Sequence, residues 1–402
     1  MKIFPNLVEA VVLALSRIFH DGEKADRVVQ EVLKSNPKWG SRDRRFIADQ
    51  IYEVVRWYRF LYEVWGNEPN SDRDSFDWYG VLAVLWLKQG KKWPDFSPFD
   101  QLDQGDLESK ISRLYSFAIE NSYPEWLDAY GRAQLEDKWE TTAIKLNEEQ
   151  NVYLRVNSLK ATQKEVILAL KKEGVEVDVI DDLALKLKTR KNLQHLKSYK
   201  EGWFEIQDLG SQMIGRFAAV KPNSLVIDAC AGAGGKTLQL AAQMNNSGKI
   251  LAMDIHAVKL NNLKERSYRA GIHSVNTYLV DDQFKYGDYR QMADDVLIDA
   301  PCSGSGVIRR QPDTKWKLTS QGIEEIRKNQ QEILASYSQF VKPGGHLVYA
   351  TCSVFPSENE EQVKNFLASE AGEYFDFIAE QTLLPQEKDT DGFYMAKMAR
   401  KR

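Results

Sequence analysis

Two of the three cysteines in this 402-residue chain stand where apolar runs end. Val296, Leu297 and Ile298 lead into DAPCSGSG, residues 299–306, and HLVYATCS sets Cys352 at the end of a second such run. A lone cysteine at a strand end is most often a small buried hydrophobe. A pair of them beside an acid suggests covalent catalysis, in which a thiol made partly anionic by nearby positive charge or a helix N-terminus is the nucleophile. Strands of a parallel sheet bring their carboxyl ends together, so Cys302 and Cys352 are expected to converge with Asp299 on one pocket. Zinc is the competing use of thiols. The cysteines, at 230, 302 and 352, are separated by 72 and 50 positions with no Cys-x-x-Cys pair, which argues against a zinc ribbon and a disulfide framework; no metal is expected.

The third cysteine opens a glycine-rich loop, DACAGAGGKT, residues 228–237. A phosphate-cradling P-loop ending at Lys236 requires Gly at 230, which is Cys, and a dinucleotide fingerprint from Gly232 and Gly234 requires Gly at 237, which is Thr. The pattern Asp228-x-Cys230-x-Gly232-x-Gly234 instead resembles the first motif of S-adenosylmethionine-dependent methyltransferases. Small residues let backbone amides approach a cofactor that has no pyrophosphate. KILAMDI then leaves Asp254 at a strand tip, where a carboxylate accepts ribose hydroxyls. The next strand ends at Asp281 and Asp282, either of which can reach an adenine edge; the sequence does not choose between them.

A methyl donor beside two thiols suits carbon 5 of cytosine, which is not nucleophilic in the aromatic ring. A thiolate adding to carbon 6 creates an enamine whose carbon 5 attacks a sulfonium methyl, and loss of the carbon-5 proton expels the enzyme. Asp299 can hydrogen-bond the base amine and ring nitrogen.

The surrounding elements place these loops. SLVIDA, KILAMDI, VNTYLV, DDVLIDA and HLVYATCS alternate with helical stretches, as in an α/β, doubly wound, mostly parallel sheet. From about residue 150, NVYLRVN, VEVDVI, ALKLK and GWFEIQD around the helical ATQKEVILALKKEG read as small α+β material. Before about 125 the chain reads as helices. In one of them, beginning at Ser41 as a candidate N-cap, Ile47, Ile51, Val54 and Tyr58 step by four, three and four to form a buried face. Arg45, Tyr52, Arg56 and Arg59 align on another face. The expected limits are an all-helical domain over 1–125, an α+β domain with linker over 126–215 and a methyltransferase domain over 216–402.

The net charge of −4 does not advertise a nucleic-acid binder, so RNA contact must come from local patches. Arg45, Arg56 and Arg59 form one candidate; Lys188 and Arg190, within a lysine-rich span, form a second. Arg309, Arg310, Lys315 and Trp316, just after the Asp-Ala-Pro-Cys loop, are expected to meet phosphates and stack a base. Three unpaired cysteines suit a reducing cytoplasm. No apolar run approaches the roughly 20 residues that cross a bilayer, and a soluble monomer is expected.

Together DACAGAGGKT, DAPCSGSGVIRRQPDTKW and LVYATCSVFPSENE, flanked by GWFEIQDLGSQ and DGFYMAKM, resemble the motifs of the Fmu/Sun family of RNA (cytosine-5) methyltransferases over roughly residues 150–402. The helical first part resembles the NusB-like RNA-binding domain of the family's bacterial 16S ribosomal RNA members, and the α+β part is taken as RRM-like. The resemblance implies a Rossmann-like class I methyltransferase domain, S-adenosyl-L-methionine as cofactor and 16S rRNA as partner. It implies Cys352 as nucleophile and Cys302 as the residue assisting product release. Cys230, Ala231, Gly232, Ala233, Gly234, Gly235 and Lys236, with Asp254, one of Asp281 or Asp282, and Asp299, fall on its cofactor positions. One departure is local: where the family reads C-A-A-P-G-G-K this chain has Gly232 and Ala233 in place of alanine and proline; loss of the proline adds backbone freedom and predicts weaker cofactor binding, although small residues remain wherever close approach is needed. The rivals are a transfer-RNA cytosine-5 methyltransferase and a non-catalytic RNA-binding ribosome assembly factor; retention of both thiols and the acids argues against the latter.

Overall fold

The computed structural model describes residues 3–69 and 75–402, and the chain divides into two units. The first joins residues 1–148 to a later segment, Ile308–Ser320; the second holds 149–307 and 321–402. The sequence reading ends the helices at 125 and runs the last domain unbroken from 216. In the structure the helices continue to Leu146, and the 308–320 segment packs with them.

In the helical unit Pro5–Phe19, Ala25–Ser35, Ser41–Trp65 and Ser75–Lys88 enclose one apolar core. The stepped face is buried as its spacing predicts: Ile47, Ile51 and Val54 have no exposed surface, and Tyr58 stacks on Phe19 with ring centroids 3.8 Å apart. The cap differs by one residue. Ser41 is the first helical residue, and Asp43 accepts the Gly40 N–H at 3.0 Å. Gly66, at φ +100°, ends the helix by donating its N–H to Tyr62 O.

The 308–320 segment is anchored here by a buried lysine. Lys315 has no exposed surface, and its Nζ donates to Arg56 O and Ser122 O at 2.7 Å and to Asn147 Oδ1 at 3.0 Å, while burial pushes its pKa well down. It also lies 4.5 Å from the Tyr123 ring centroid, a cation–π contact. The Trp316 indole N–H donates to Val55 O at 2.7 Å, and its ring meets Tyr58 edge-on.

The second unit contains two sheets. Strands β1 (Tyr153–Val156), β2 (Val177–Val179), β3 (Ala184–Leu187) and β4 (Phe204–Ile206) form an antiparallel sheet in the order β2-β3-β1-β4. The larger sheet uses β5 (Leu225–Asp228), β6 (Lys249–Asp254), β7 (Val275–Leu279), β8 (Ala293–Asp299), β9 (Val341–Thr351), β10 (Phe375–Leu383) and β11 (Phe393–Arg400). Its order is β10-β11-β9-β8-β5-β6-β7, parallel from β9 to β7, with β11 and β10 antiparallel at one edge. Val226 and Ile227 enter opposite cores, as the two-residue period of a sheet covered on both faces requires. This is the Rossmann-like methyltransferase architecture. The strand order reverses between β5 and β8, which is where such sheets bind ligands. Among the described residues, no helix is long and apolar enough to cross a membrane.

Replacing Lys315 with Met removes the donor shared by three buried acceptors. At about 1–3 kcal/mol per unsatisfied group, the helical unit should lose roughly 3 kcal/mol or more in urea denaturation. Arg45→Ala, at a side chain 73% exposed, should stay within about 0.5 kcal/mol of the parent.

Candidate active site

Register brings the acids to one end of the sheet. Asp228 pairs with Leu297 and Ala252, Asp299 with Ala350, and Asp254 with Leu279. From β5 the chain enters the glycine loop. Gly232, at φ +55°, donates its N–H to Asp254 Oδ2 at 2.9 Å, and Asp254 Oδ1 accepts His256 N–H at 2.8 Å. A Cβ added at Gly232 or Gly235 would meet nothing within 4 Å. The loop therefore presents bare backbone to open space beside a strand-end carboxylate, a donor and acceptor set that fits a nucleoside cofactor. Lys236, on the first turn of Gly235–Gln243, reaches Asp299 Oδ2 at 2.6 Å. Burial works to lower the Lys236 pKa, but the Asp299 carboxylate overrides it and holds the ammonium above its ordinary value. Burial pushes the Cys230 thiol up, so it stays protonated.

The two cysteine loops meet at the ends of β8 and β9. Cys302 Sγ and Cys352 Sγ are 3.3 Å apart, a thiol hydrogen bond and not a disulfide. The Cys302 pKa is held well above the ordinary range by this hydrogen bond and by burial, so Cys302 keeps its proton; either sulfur can act as donor in the contact. The Lys236 ammonium lies within electrostatic reach of Cys352.

One carboxylate ties the loops together. Glu358 has no exposed surface. Its Oε1 accepts Ser303 N–H at 2.7 Å and Gln330 Nε2 at 3.2 Å, and its Oε2 accepts the hydroxyls of Ser303 and Ser353, both at 2.5 Å. Ser303 and Ser353 each follow a site cysteine. Gly306 closes the crossing by donating its N–H to Cys352 O at 2.9 Å, where any Cβ would strike Cys352 O and the Gly392 carbonyl.

The structure thus brings together Cys302, Cys352, Asp299, Lys236 and the Cys230–Lys236 loop, with Asp254 beneath it. Asp281 and Asp282 are both exposed beyond β7, and the choice between them stays open. Glu358 was missed by sequence reasoning, because an acid in SVFPSENE reads as solvated loop. Its signal was position: it lies five residues beyond Ser353, the last residue of the Thr-Cys-Ser motif.

The basic residues divide. Arg45 is exposed, as are Lys188, beside Glu176 and Asp178, and Arg190, beside Glu149. Arg310 is half-buried, and Arg59 is mostly covered, paired with Glu125 at 2.6 Å. Four expectations are corrected. Arg56, Arg309 and Lys315 are buried, Arg56 donating to Arg309 O and Lys315 to Arg56 O. Trp316 is partly buried against Phe19 and Tyr58, its N–H already used. These four build the helical unit and offer no phosphate or base-stacking surface.

Comparison with known proteins agrees with this geometry. Residues 217–399 match the family described as 16S rRNA methyltransferase RsmB/F, and residues 123–194 match its ferredoxin-like domain. The chain is 32% identical to ribosomal RNA small subunit methyltransferase B of Proteus mirabilis over 436 aligned residues, covering 100% of both chains. The crystal structure of PH0851 superposes with a TM-score of 0.82 at 25% identity, over 99% of each chain. The structure of NSun6 from Pyrococcus horikoshii with SFG shares the fold, with a TM-score of 0.63 at 21% identity, over 70% of this chain and 99% of that one.

Asp228 yields a pH test. It is 1% exposed; Oδ2 accepts the Thr237 hydroxyl at 2.7 Å, while buried Oδ1 has no hydrogen-bond partner among the described residues. Burial pushes its carboxyl up to about 7 from 3.8. The folded chain binds this proton more tightly than the unfolded chain, so the stabilisation is present below pH 4 and is lost as pH rises through 7. Relative to Asp228→Asn, the parent should lose up to about 4 kcal/mol between pH 4 and 8, measured by denaturant titration without cofactor.

Proposed function

This chain belongs to the 16S rRNA methyltransferase RsmB/F family, and we propose that it transfers the methyl group of S-adenosyl-L-methionine to carbon 5 of a cytosine in 16S rRNA through a covalent Cys352 adduct. The observation that carries the reading is the 3.3 Å approach of Cys302 and Cys352 beside the Lys236–Asp299 pair. Membership in an rRNA methyltransferase family supports an RNA substrate and methyl transfer; the paired thiols support the carbon-5 chemistry.

When bound, the cofactor supplies an electrophilic methyl group, and the residues that would hold it are Cys230–Lys236, Asp254, Asp281 or Asp282, and Asp299. The chain's own groups do the rest. The target cytosine leaves its stack to enter the site. Asp299, its side chain 32% exposed, accepts a hydrogen bond from the exocyclic amine, and Lys236 keeps that carboxylate oriented. The Cys352 sulfur forms a bond to carbon 6, and the ring electrons shift so that carbon 5 becomes nucleophilic and takes the methyl group. The carbon-5 proton then leaves to a base in the site as the carbon 6–sulfur bond breaks, and the bond electrons return to Cys352. Cys302, held as a thiol 3.3 Å away, gives the departing sulfur a hydrogen bond and so assists release.

The helical unit, as a NusB-like module, and the small sheet, as an RRM-like one, would supply RNA contact outside the site, with Arg45, Lys188 and Arg190 among their exposed cations. The protein would act in the cytoplasm as a monomer.

The test uses deproteinised 16S rRNA, radiolabelled cofactor and site mapping. Cys352→Ala should abolish methyl transfer and form no adduct. Cys302→Ala should form a protein–RNA adduct that survives denaturing electrophoresis and accumulates. An active, adduct-forming Cys352→Ala would invert the assignment.

A further inference from the structure

The cofactor loop is gripped from the small sheet. Arg155 on β1 and Glu205 on β4 are register partners across an antiparallel pair, and both are buried. Arg155 Nη1 donates to Gly235 O at 2.9 Å and to Gln207 Oε1 at 2.6 Å. Glu205 accepts Arg266 Nη2 at 2.8 Å and a further bond from Arg269, whose guanidinium rests on the Tyr199 ring. Arg266 then donates its other nitrogen, Nη1, to Ala233 O at 2.6 Å. Two alternate carbonyls of the loop, at 233 and 235, are thus held by guanidinium groups aligned by one cross-strand pair. A buried carboxylate shared by two arginines is fully matched, and charge-assisted bonds of this length are among the stronger fixings a backbone can receive.

Ala233 is the position where the family motif carries proline. Proline would restrict the loop before cofactor arrives; alanine leaves it freer. We infer that Arg266, oriented by Glu205 of the small sheet, is a positioning residue for the cofactor loop, and that its bond to Ala233 O replaces the rigidity of the missing proline. The small sheet is thereby part of the cofactor site as well as a module beside it. The inference rests on the reading that the Cys230–Lys236 loop binds S-adenosylmethionine.

The test is calorimetric titration of the full chain with S-adenosylmethionine, which reads affinity without turnover. Arg266→Gln should raise Kd about tenfold, the scale of one charge-assisted bond. Arg269→Gln removes a partner of the same Glu205 without touching the loop, and should leave Kd within about twofold. Ala233 lies outside the left-handed region and its N–H makes no backbone bond to lose among the described residues, so Ala233→Pro in the Arg266→Gln background should restore most of the affinity. If Arg266→Gln does not fold, Arg266→Lys, which keeps the charge but not the two-point reach, carries the same expectation. An unchanged Kd in the Arg266 variant, an equal loss in Arg269→Gln, or no rescue by proline would each overturn the inference. A parent protein that fails to bind S-adenosylmethionine would instead overturn the cofactor reading beneath it.

Discussion

The site depends on one buried carboxylate. Glu358 lies out of reach of water, where an unmatched charge would be strongly destabilising, and all four of its hydrogen-bond donors belong to the structure that carries the two thiols. Two come from Ser303 and one from Ser353, the residues next to Cys302 and Cys352. The fourth, Gln330, also donates to Pro301 O and so fixes the start of the same loop. Because one oxygen accepts both serine hydroxyls, loops from β8 and β9 cannot drift apart without stranding the charge. The 3.3 Å sulfur–sulfur approach follows from that shared oxygen more than from any attraction between thiols, whose hydrogen bonds are weak.

The glycine loop uses the same principle. Its carbonyls at 233 and 235 and its amide at 232 are met by Arg266, Arg155 and Asp254, so a loop made of small, conformationally free residues is held in one shape from outside. The Lys236–Asp299 pair links the loop to β8. The glycine loop is thus joined to Asp299 by one polar contact, and the thiol pair is held by a second, buried set around Glu358. Preorganisation of this kind fits a reaction that must align a ring carbon, a sulfur and a methyl group at once.

What the sequence made legible follows from range. The apolar strands, their acidic ends and the convergence of Cys302 with Cys352 are consequences of local pattern plus the rule that parallel strands share a carboxyl end, and they appear in the structure where that logic put them. The buried helix face through Ile47, Ile51, Val54 and Tyr58 is equally local. The cluster Arg309, Arg310, Lys315 and Trp316 misled because a basic, aromatic stretch has the same composition whether it meets RNA or is folded inward. Lys315 is decided by carbonyls of Arg56 and Ser122, 259 and 193 positions away, which no window along the chain contains. Glu358 is the converse case: a charged residue in a polar loop is expected in solvent, and only the crossing of two distant loops over it makes burial favourable. The effect of Ala233 was legible as a loss but not its compensation, since Arg266 is recognisable as a loop anchor only through its contact.

The clamp presents Cys352, which we propose bonds to a cytosine during methyl transfer. The most direct measurement is peptide mapping of the complex formed with 16S rRNA containing 5-fluorocytidine in the presence of S-adenosylmethionine, since fluorine at carbon 5 blocks the elimination that frees the enzyme. A single cross-linked peptide is expected, attached through Cys352 to a base that already carries the new methyl group. Attachment through Cys302, or methylation of unsubstituted RNA with no trapped adduct on the fluorinated one, would contradict it.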